Sequence, residues 1–133
     1  MKLGATLYIK NTIEAIEFYK EAFGMTLGYN EKFPDETFIH AALLKNNEEI
    51  FAVSESKNDA LVDILLKSNI NKSRPTMSLG INFENEEEIK KAYKMLSTNG
   101  NVLFPLGQLP WSSLAAEVID KFGVNWYIYI PME

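Results

Sequence analysis

The feature of this sequence that most limits its fold is an internal repeat of a helix-forming segment. A shift of 74 positions places Asn11 on Asn85 and aligns the apolar stripes that follow each asparagine. Asparagine is a favoured N-terminal cap of a helix, and glycine commonly follows a helix end, as it does here after both stripes. We therefore predict two helices, over residues 12–23 and 86–97, at equivalent places in two copies of one unit.

Strand-like stretches surround both predicted helices in the same order. One stretch with alternating apolar residues precedes each helix, and three such stretches follow it. We predict an α+β fold that consists of a tandem βαβββ repeat. The predicted modules are residues 1–55 and 76–133. They are joined by a linker over residues 56–75, which includes a segment of helical character at residues 59–67.

Composition and charge narrow the class of protein. The chain has 133 residues, the size of one domain, and its 47% hydrophobic content is typical of a globular core. The net charge of −5 argues against a nucleic-acid partner, because phosphate binding needs clustered lysine and arginine. No apolar run reaches the ~20 residues of a membrane helix, the first ten residues do not resemble a signal peptide, and cysteine is absent. We expect a cytoplasmic protein without membrane partners.

Motifs at both ends of the chain resemble a known superfamily. "AIEFYKEAFG", His40 in "FIHAALL", Trp111 and "DKFGVNW" are similar to the PhnB-like branch of the vicinal oxygen chelate superfamily. That superfamily holds glyoxalase I, extradiol dioxygenases and bleomycin-resistance proteins. The resemblance implies one domain over residues 1–133, in which two βαβββ modules curl their mixed sheets around a cleft. The sequence departs from the motif at Lys121 and Val124, where the branch usually has proline and histidine.

The resemblance also implies which side chains face the cleft. In this fold the helices cover the convex faces of the sheets, so alternate side chains of each strand line the concave side. The residues assigned to a ligand-binding cleft are Thr6, Tyr8, His40, Phe51, Ser78, Asn82, Trp111, Tyr127 and Tyr129. The expected cavity is aromatic and rich in hydroxyl groups, and it carries few charges.

Metal-dependent members of the superfamily carry histidine or glutamate ligands on the first, fourth, fifth and eighth strands. The corresponding positions here lie near Gly4, Phe51, Ser78 and Tyr127. None of these side chains binds a divalent cation well. We therefore expect no metal and no other cofactor, which argues against the chemistries of glyoxalase I and the dioxygenases because they need a Lewis acid.

Some single residues allow more than one interpretation. His40, the only histidine, could act as a general base or bind a ligand, or it could pack within its strand as a structural residue. Trp111 could form an aromatic wall of the cleft or anchor a loop. Asp120 is interpreted as a turn residue rather than a catalytic acid. The side chains assigned to the core from the two helices are Phe18, Tyr19, Phe23 and Tyr93.

The first functional hypothesis is a metal-free homodimer that binds a small organic molecule, for which bleomycin-resistance proteins are the precedent within the superfamily. Dimerisation is expected because exposed sheet edges need cover and because the 12% aromatic content supplies material for an interface. The alternative is an enzyme of unknown reaction, of isomerase, lyase or oxygenase type, that uses His40 or a cleft tyrosine. A third hypothesis is a non-catalytic assembly or regulatory protein in which the cleft is vestigial. The sequence does not identify a substrate.

Overall fold

The structure, a computed structural model, describes residues 1–56 and 75–132. The chain divides into two compact units, Met1–Asp59 and Ala60–Glu133, which we call unit 1 and unit 2. The predicted helical segment at residues 59–67 lies outside the described residues, as does most of the predicted linker.

Unit 1 consists of one helix and a four-stranded mixed sheet. Its elements in chain order are β1 (Thr6–Ile9), α1 (Thr12–Phe23), β2 (Thr26–Lys32), β3 (Phe38–Lys45) and β4 (Glu48–Glu55). The strand order in the sheet is β1-β4-β3-β2. β1 runs parallel to β4, and the other neighbours are antiparallel.

Unit 2 repeats this arrangement with its own helix and sheet. Its elements are β5 (Leu79–Asn82), α2 (Glu86–Ser97), β6 (Asn101–Leu109), β7 (Ser112–Ile119) and β8 (Asn125–Pro131). The strand order is β5-β8-β7-β6, and β5 is parallel to β8. Both units are therefore βαβββ, and the predicted α+β repeat is confirmed.

Both helices begin and end at the residues that the sequence predicts. The Asn11 side chain accepts a hydrogen bond from the Glu14 backbone N–H at 3.4 Å, and the Asn85 side chain accepts one from Glu88 at 2.9 Å. α1 ends at Gly24 in the left-handed conformation, whereas α2 ends in an extended residue. Neither helix, at 12 residues, is long and apolar enough to cross a membrane.

The helices cover one face of each sheet with large apolar side chains. Tyr19 of α1 is buried and meets Phe51 of β4 edge to face, with ring centroids 5.6 Å apart. In unit 2, Trp126 and Ile128 of β8 are fully buried. The assignment of Phe18 and Tyr93 to the core is corrected because both are only half-buried.

Ile16 belongs to the buried face of α1, although it was not part of the apolar stripe predicted from the sequence. It lies one turn before Tyr19 and Lys20, and it is almost completely buried. The buried stripe of α1 is therefore rotated away from Phe18, whose ring instead contacts Tyr19 edge to face, at 5.4 Å between ring centroids.

A buried carboxylate organises the turn before β8. The side chain of Asp120 accepts hydrogen bonds from the backbone N–H groups of Phe122 at 2.9 Å and Val124 at 3.0 Å. It also accepts one from the indole Nε1 of Trp126 at 2.8 Å. Because its oxygens already serve the turn and the core, Asp120 has the structural role that the sequence indicates.

Candidate functional site

Each sheet has a second face that its own helix does not cover, and we call this the helix-free face. Strand alternation and the register between strands assign side chains to it. In unit 1 its residues are Thr6, Tyr8, His40, Ala42, Ala52 and Ser54. In unit 2 its residues are Gly80, Asn82, Ala115, Glu117, Tyr127 and Tyr129. Most of the site residues that the sequence proposes therefore occupy the helix-free face of one unit or the other.

Phe51 does not belong to this face, so its assignment to the ligand-binding cleft is corrected. The side chain is 2% exposed and contacts Tyr19 beneath α1. Its neighbour Ala52, which is the partner of Thr6 in the parallel register, takes the position on the helix-free face. The segment around Phe51 is apolar on both sides, so alternation alone does not decide which residue faces the helix.

Three aromatic side chains of unit 2 form a connected group, which we call the aromatic cluster. It consists of Trp111, Tyr127 and Tyr129. The two tyrosine rings are stacked with centroids 4.9 Å apart and planes 19° apart. The indole N–H of Trp111 donates a hydrogen bond to the Tyr127 hydroxyl at 3.1 Å. The cluster is positioned by β8 on one side and by the turn between β6 and β7 on the other.

The exposure of Trp111 bears on its two interpretations. The side chain is 64% exposed, although its N–H is held by Tyr127. A loop anchor would bury its ring, whereas an exposed ring held in place by one hydrogen bond presents a flat contact surface. The geometry therefore favours the interpretation of Trp111 as an aromatic wall.

Gly80 leaves space beside the tyrosine rings. It is the register partner of Tyr127, and a Cβ atom built on it would lie 3.7 Å from a ring carbon of Tyr129 and 3.9 Å from one of Tyr127. Asn82, the partner of Tyr129, is exposed on the same face, and Ser78 is exposed just before β5. The flank of the aromatic cluster therefore carries small and polar residues.

Two polar residues of unit 2 were not predicted from the sequence. Asn125 donates hydrogen bonds from its amide nitrogen to the Met77 carbonyl oxygen at 3.0 Å and to the Glu117 carboxylate at 3.1 Å. Glu117 is the register partner of Tyr127, so this polar pair adjoins the aromatic cluster. The sequence does contain a signal for Glu117 as a site residue, because Glu117 is the one charged residue in the mainly apolar stretch "SLAAEVI".

His40 belongs to a different group on the helix-free face of unit 1. Its ring lies 6.1 Å from the ring of Tyr29 between centroids, and its strand neighbour in the register is Glu31. The Tyr29 hydroxyl donates a hydrogen bond to the Glu31 carboxylate at 2.5 Å. This hydrogen bond, together with the negative charge of Glu31, raises the pKa of Tyr29 above its ordinary value.

The other predicted residues of unit 1 lie on β1, at the opposite edge of the sheet from β2. Tyr8 is 72% exposed, and Thr6 is exposed beside it. Between Tyr8 and His40 the face carries the small residues Ala42, Ala52 and Ser54. Unit 1 thus separates its aromatic side chains, whereas unit 2 stacks them.

The four strands that hold metal ligands in metal-dependent proteins of this fold do not carry a ligand set here. The helix-free positions that are paired between β1 and β4 and between β5 and β8 are Thr6, Tyr8, Ala52, Ser54, Gly80, Asn82, Tyr127 and Tyr129. None is a histidine or a carboxylate, the side chains that divalent metals prefer. Within residues 1–56 and 75–132, no three histidine, aspartate or glutamate side chains are grouped closely enough to hold an ion. The residues therefore do not fit a metal of that kind.

Comparisons with known proteins agree with this fold. A family model described as the Glyoxalase/Bleomycin resistance protein/Dioxygenase superfamily matches residues 4–128. The PhnB protein from Bacillus cereus is similar, with 28% sequence identity and a TM-score of 0.74, over 98% of this chain and 99% of that one. Protein PA1353 from Pseudomonas aeruginosa has 20% identity and a TM-score of 0.74, over 100% and 99% of the two chains. No curated protein matches this chain.

A more distant solved structure has the same fold and is a complex with a metal ion. The fosfomycin resistance protein FosX from Listeria monocytogenes, as a mutant complexed with Mn(II) and dihydroxypropylphosphonic acid, has 10% identity and a TM-score of 0.66. The match covers 99% of this chain and 93% of that one. At this identity the likeness concerns the fold alone.

Proposed function

This chain belongs to the Glyoxalase/Bleomycin resistance protein/Dioxygenase superfamily, and on that premise we propose that it binds a small organic molecule without a metal ion. The superfamily predicted from the sequence motifs is thereby confirmed. The observation that carries the proposal of binding is the aromatic cluster, in which an exposed Trp111 is tied to a stacked pair of tyrosines.

Stacked and fixed rings suit a planar ligand. Aromatic pairs contribute about 0.5–1.5 kcal/mol beyond the area they bury, and rings already held in place lose little side-chain entropy on binding. The Tyr127 hydroxyl accepts the hydrogen bond from Trp111, so its own proton is directed elsewhere and can meet an acceptor on a ligand. Gly80 leaves one flank of the rings open for contact.

The two tryptophans of the chain provide a test of binding, because their indole N–H groups give separate NMR signals. Trp111 is 64% exposed, and Trp126 is 0% exposed and bound to Asp120. We expect 2-naphthylmethanol, a planar neutral probe, to shift the Trp111 signal saturably and to leave the Trp126 signal unchanged. A Trp111→Phe variant assigns the two signals.

Variants on the two units locate the binding surface. Gly80→Leu should abolish the shift of the Trp111 signal, because the added side chain fills the space beside Tyr127 and Tyr129. Phe33→Ala, which removes an exposed aromatic ring just after β2 of unit 1, should leave the titration unchanged. If no planar probe shifts the Trp111 signal at millimolar concentration, the proposal of binding fails.

The metal-free part of the proposal has a separate test. Elemental analysis of protein purified without a chelator should give far less than one equivalent of zinc, nickel, iron or manganese. One equivalent of any of these ions bound to the protein would contradict this part. This expectation rests on the donor residues, since the helix-free positions paired between β1 and β4 and between β5 and β8 carry no imidazole or carboxylate.

We further propose that the protein is a homodimer. The sheet of each unit has two edge strands, which are β1 and β2 in unit 1 and β5 and β6 in unit 2. Exposed edge strands are usually covered or paired with another strand. Exposed aromatic side chains such as Tyr8 and Tyr29 supply contact area of the kind found at interfaces. Light scattering after size exclusion should give a mass near twice the 15.1 kDa of one chain, and a mass near 15.1 kDa contradicts the dimer.

The second candidate function is that of an enzyme of unknown reaction, of isomerase, lyase or oxygenase type, that uses His40. The observation in its favour is that the His40 ring lies 6.1 Å from the ring of Tyr29 between centroids, and the Tyr29 hydroxyl is hydrogen-bonded to Glu31. An imidazole next to a protonated phenol offers a base and an acid on one surface. Turnover of a bound probe that is lost in His40→Ala and kept in the neighbouring Ile39→Thr would support this candidate.

We place the protein in the cytoplasm, without nucleic-acid or membrane partners. Absence of cysteine suits a reducing compartment, where disulfides do not contribute to stability. The net charge of −5 opposes binding to phosphate backbones. Subcellular fractionation that finds the protein in the membrane pellet or with nucleic acid would contradict this assignment.

A further inference from the structure

The hydroxyl group of Tyr127 is held at the surface of the aromatic cluster. It accepts a hydrogen bond from the indole N–H of Trp111 at 3.1 Å. Trp111 is 64% exposed and Tyr127 is half-buried, so the two side chains meet where a ligand can reach them. The protein therefore fixes the position of this hydroxyl, which on an isolated surface tyrosine would move with the ring.

The hydrogen bond from Trp111 makes the phenol a donor towards a further partner. An indole N–H donates and does not accept, so the phenol proton points away from Trp111. Among the residues that the structure describes, Trp111 is the only hydrogen-bond partner of this hydroxyl. A hydroxyl that accepts one hydrogen bond is polarised and donates the next one more strongly. The ligand group that fits Tyr127 best is therefore an acceptor.

A ring that stacks on Trp111 brings its rim beside this hydroxyl. The Nε1 atom lies on the rim of the indole, and the Tyr127 oxygen is 3.1 Å from it. Aromatic faces in contact are about 3.5–4.0 Å apart. An acceptor on the rim of a stacked ligand can therefore reach the phenol proton while the ligand ring stays on the face of the indole.

The charge of that acceptor is indicated by Glu117. This residue is half-buried, and it is the register partner of Tyr127 on the helix-free face. Its carboxylate repels a second negative charge beside the phenol, and water screens this repulsion less at a half-buried position. The net charge of −5 also opposes the approach of an anion. A neutral carbonyl oxygen accepts the hydrogen bond without this penalty.

We propose that the ligand of unit 2 is a neutral aryl carbonyl compound, and that Tyr127 selects it. The ligand ring stacks on Trp111, and the carbonyl oxygen accepts the proton of the Tyr127 hydroxyl. Trp111 thus has two roles, because it supplies the contact surface and orients the phenol. This inference rests on the proposed binding function and gives the chemical class of the ligand.

Three flat bicyclic probes test the class: 1-indanone, which carries a carbonyl acceptor, indole, which carries only an N–H donor, and benzofuran-2-carboxylate, which is an anion. Titration of isotopically labelled protein, followed by the Trp111 indole signal, gives a dissociation constant for each. We expect 1-indanone to bind about fivefold more tightly than indole, as one additional hydrogen bond would give. The carboxylate should bind more weakly than 1-indanone. This comparison uses the unmodified protein.

Matched variants then identify the hydroxyl that is responsible. Tyr127→Phe keeps the ring and removes the hydroxyl, so the preference for 1-indanone over indole should disappear. Tyr129→Phe removes the hydroxyl of the stacked neighbour and should keep the preference. Because the preference is a ratio of two dissociation constants in one protein, a general loss of stacking in a variant affects both probes and does not imitate the result. Glu117→Gln should improve binding of the carboxylate and leave the preference for 1-indanone unchanged.

The outcomes separate this inference from the proposed function. If neither 2-naphthylmethanol nor any of the three bicyclic probes shifts the Trp111 signal, the binding function itself fails. If a probe binds but 1-indanone binds no more tightly than indole, the binding function stands and the aryl carbonyl class is refuted. An unchanged preference in Tyr127→Phe, or an equal loss in Tyr129→Phe, refutes the role of Tyr127. Tighter binding of the carboxylate than of 1-indanone would show that the ligand is not neutral.

Discussion

The two units agree on the helix-covered faces of their sheets and differ on the helix-free faces. Thr6 pairs with Ala52 in unit 1 as Gly80 pairs with Tyr127 in unit 2, so the two registers correspond. On the helix-covered side the equivalent residues are all large and apolar. They are Leu7 and Ile81, Ile9 and Phe83, Phe51 and Trp126, and Val53 and Ile128. Burial under a helix therefore imposes the same requirement twice.

The helix-free faces show no such agreement. Where unit 1 has Ala52 and Ser54, unit 2 has Tyr127 and Tyr129. Where unit 1 has Ala42, unit 2 has Glu117. Positions that do not support the helix are free to change, so the difference between the repeats marks where a function can reside. This comparison assigns the aromatic and acidic surface to unit 2.

The largest effects should come from the shared core. We expect Trp126→Ala and its counterpart Phe51→Ala each to lower the free energy of unfolding by about 3–5 kcal/mol. Trp126→Ala should be the more severe, because it also removes a donor from the buried carboxylate of Asp120. Tyr8→Ala, on the helix-free face, should change the free energy of unfolding by less than about 0.5 kcal/mol.

Urea denaturation measures these free energies. An equal cost for Tyr8→Ala and Phe51→Ala would remove the distinction between the two faces of unit 1. A small cost for Phe51→Ala alone would mean that the two helix-covered faces are not equivalent.

Smaller effects should distinguish the helix-free faces. Tyr127→Ala removes the central ring of the aromatic cluster, and we expect it to weaken binding of 2-naphthylmethanol roughly tenfold. Ser54→Ala, which alters the unit 1 equivalent of Tyr129, should leave the dissociation constant unchanged. Both are measured by titration with calorimetry. A comparable loss in the two variants would assign the ligand to a surface other than the aromatic cluster.

Much of this architecture could be predicted from the sequence because local signals determine it. The two asparagine caps and the apolar stripes gave both helix boundaries, since capping is decided within four residues. The alternation in "VNWYIYI" correctly separated Trp126 and Ile128 from Tyr127 and Tyr129. Predicting these elements did not require knowing which strands pair.

The parts that could not be predicted depend on register between strands. Phe51, Ala52 and Val53 are all buried, so the face of Phe51 follows only from the pairing of β4 with β1 and β3. The hydrogen bond between Asn125 and Glu117 likewise joins two strands and is set by their alignment. The Tyr29–Glu31–His40 group arises from a pairing with an irregular register in β2 and β3.

The helix caps provide a weaker comparison between the units. At α1 the carboxylate of Glu55 accepts hydrogen bonds at 2.9 Å from the backbone N–H groups of both Asn11 and Thr12. At α2 the cap bond runs from Glu88 to Asn85 at 2.9 Å. We expect Asn85→Ala to cost about 1 kcal/mol of unfolding free energy.

Asn11→Gly should cost only a few tenths of a kcal/mol, because Glu55 still serves the helix end and glycine accepts the φ of 68° at this position. Thermal unfolding of both variants measures the difference. A larger loss for Asn11→Gly than for Asn85→Ala would show that Glu55 does not compensate.

The smallest effect concerns a single proton on the helix-free face of unit 1. The hydrogen bond from Tyr29 to Glu31, together with the carboxylate charge, raises the pKa of Tyr29 because both favour the protonated phenol. The contribution of this hydrogen bond to the stability of the folded protein is therefore complete below the ordinary tyrosine pKa of about 10. It is lost as the pH rises through the higher pKa that Tyr29 has in the folded protein. Glu31→Gln should lower the pKa of Tyr29 towards the ordinary value.

Carbon-13 NMR of the labelled tyrosine ring follows this ionisation residue by residue. Glu36→Gln, which removes another exposed carboxylate of unit 1, should leave the Tyr29 pKa unchanged. If Glu31→Gln had no effect on the Tyr29 pKa, the phenol would not be paired with that carboxylate. A shift in Glu31→Gln alone would instead support this pairing on the helix-free face of unit 1, where Tyr8 and Tyr29 lie on opposite edge strands, whereas unit 2 stacks Tyr127 on Tyr129.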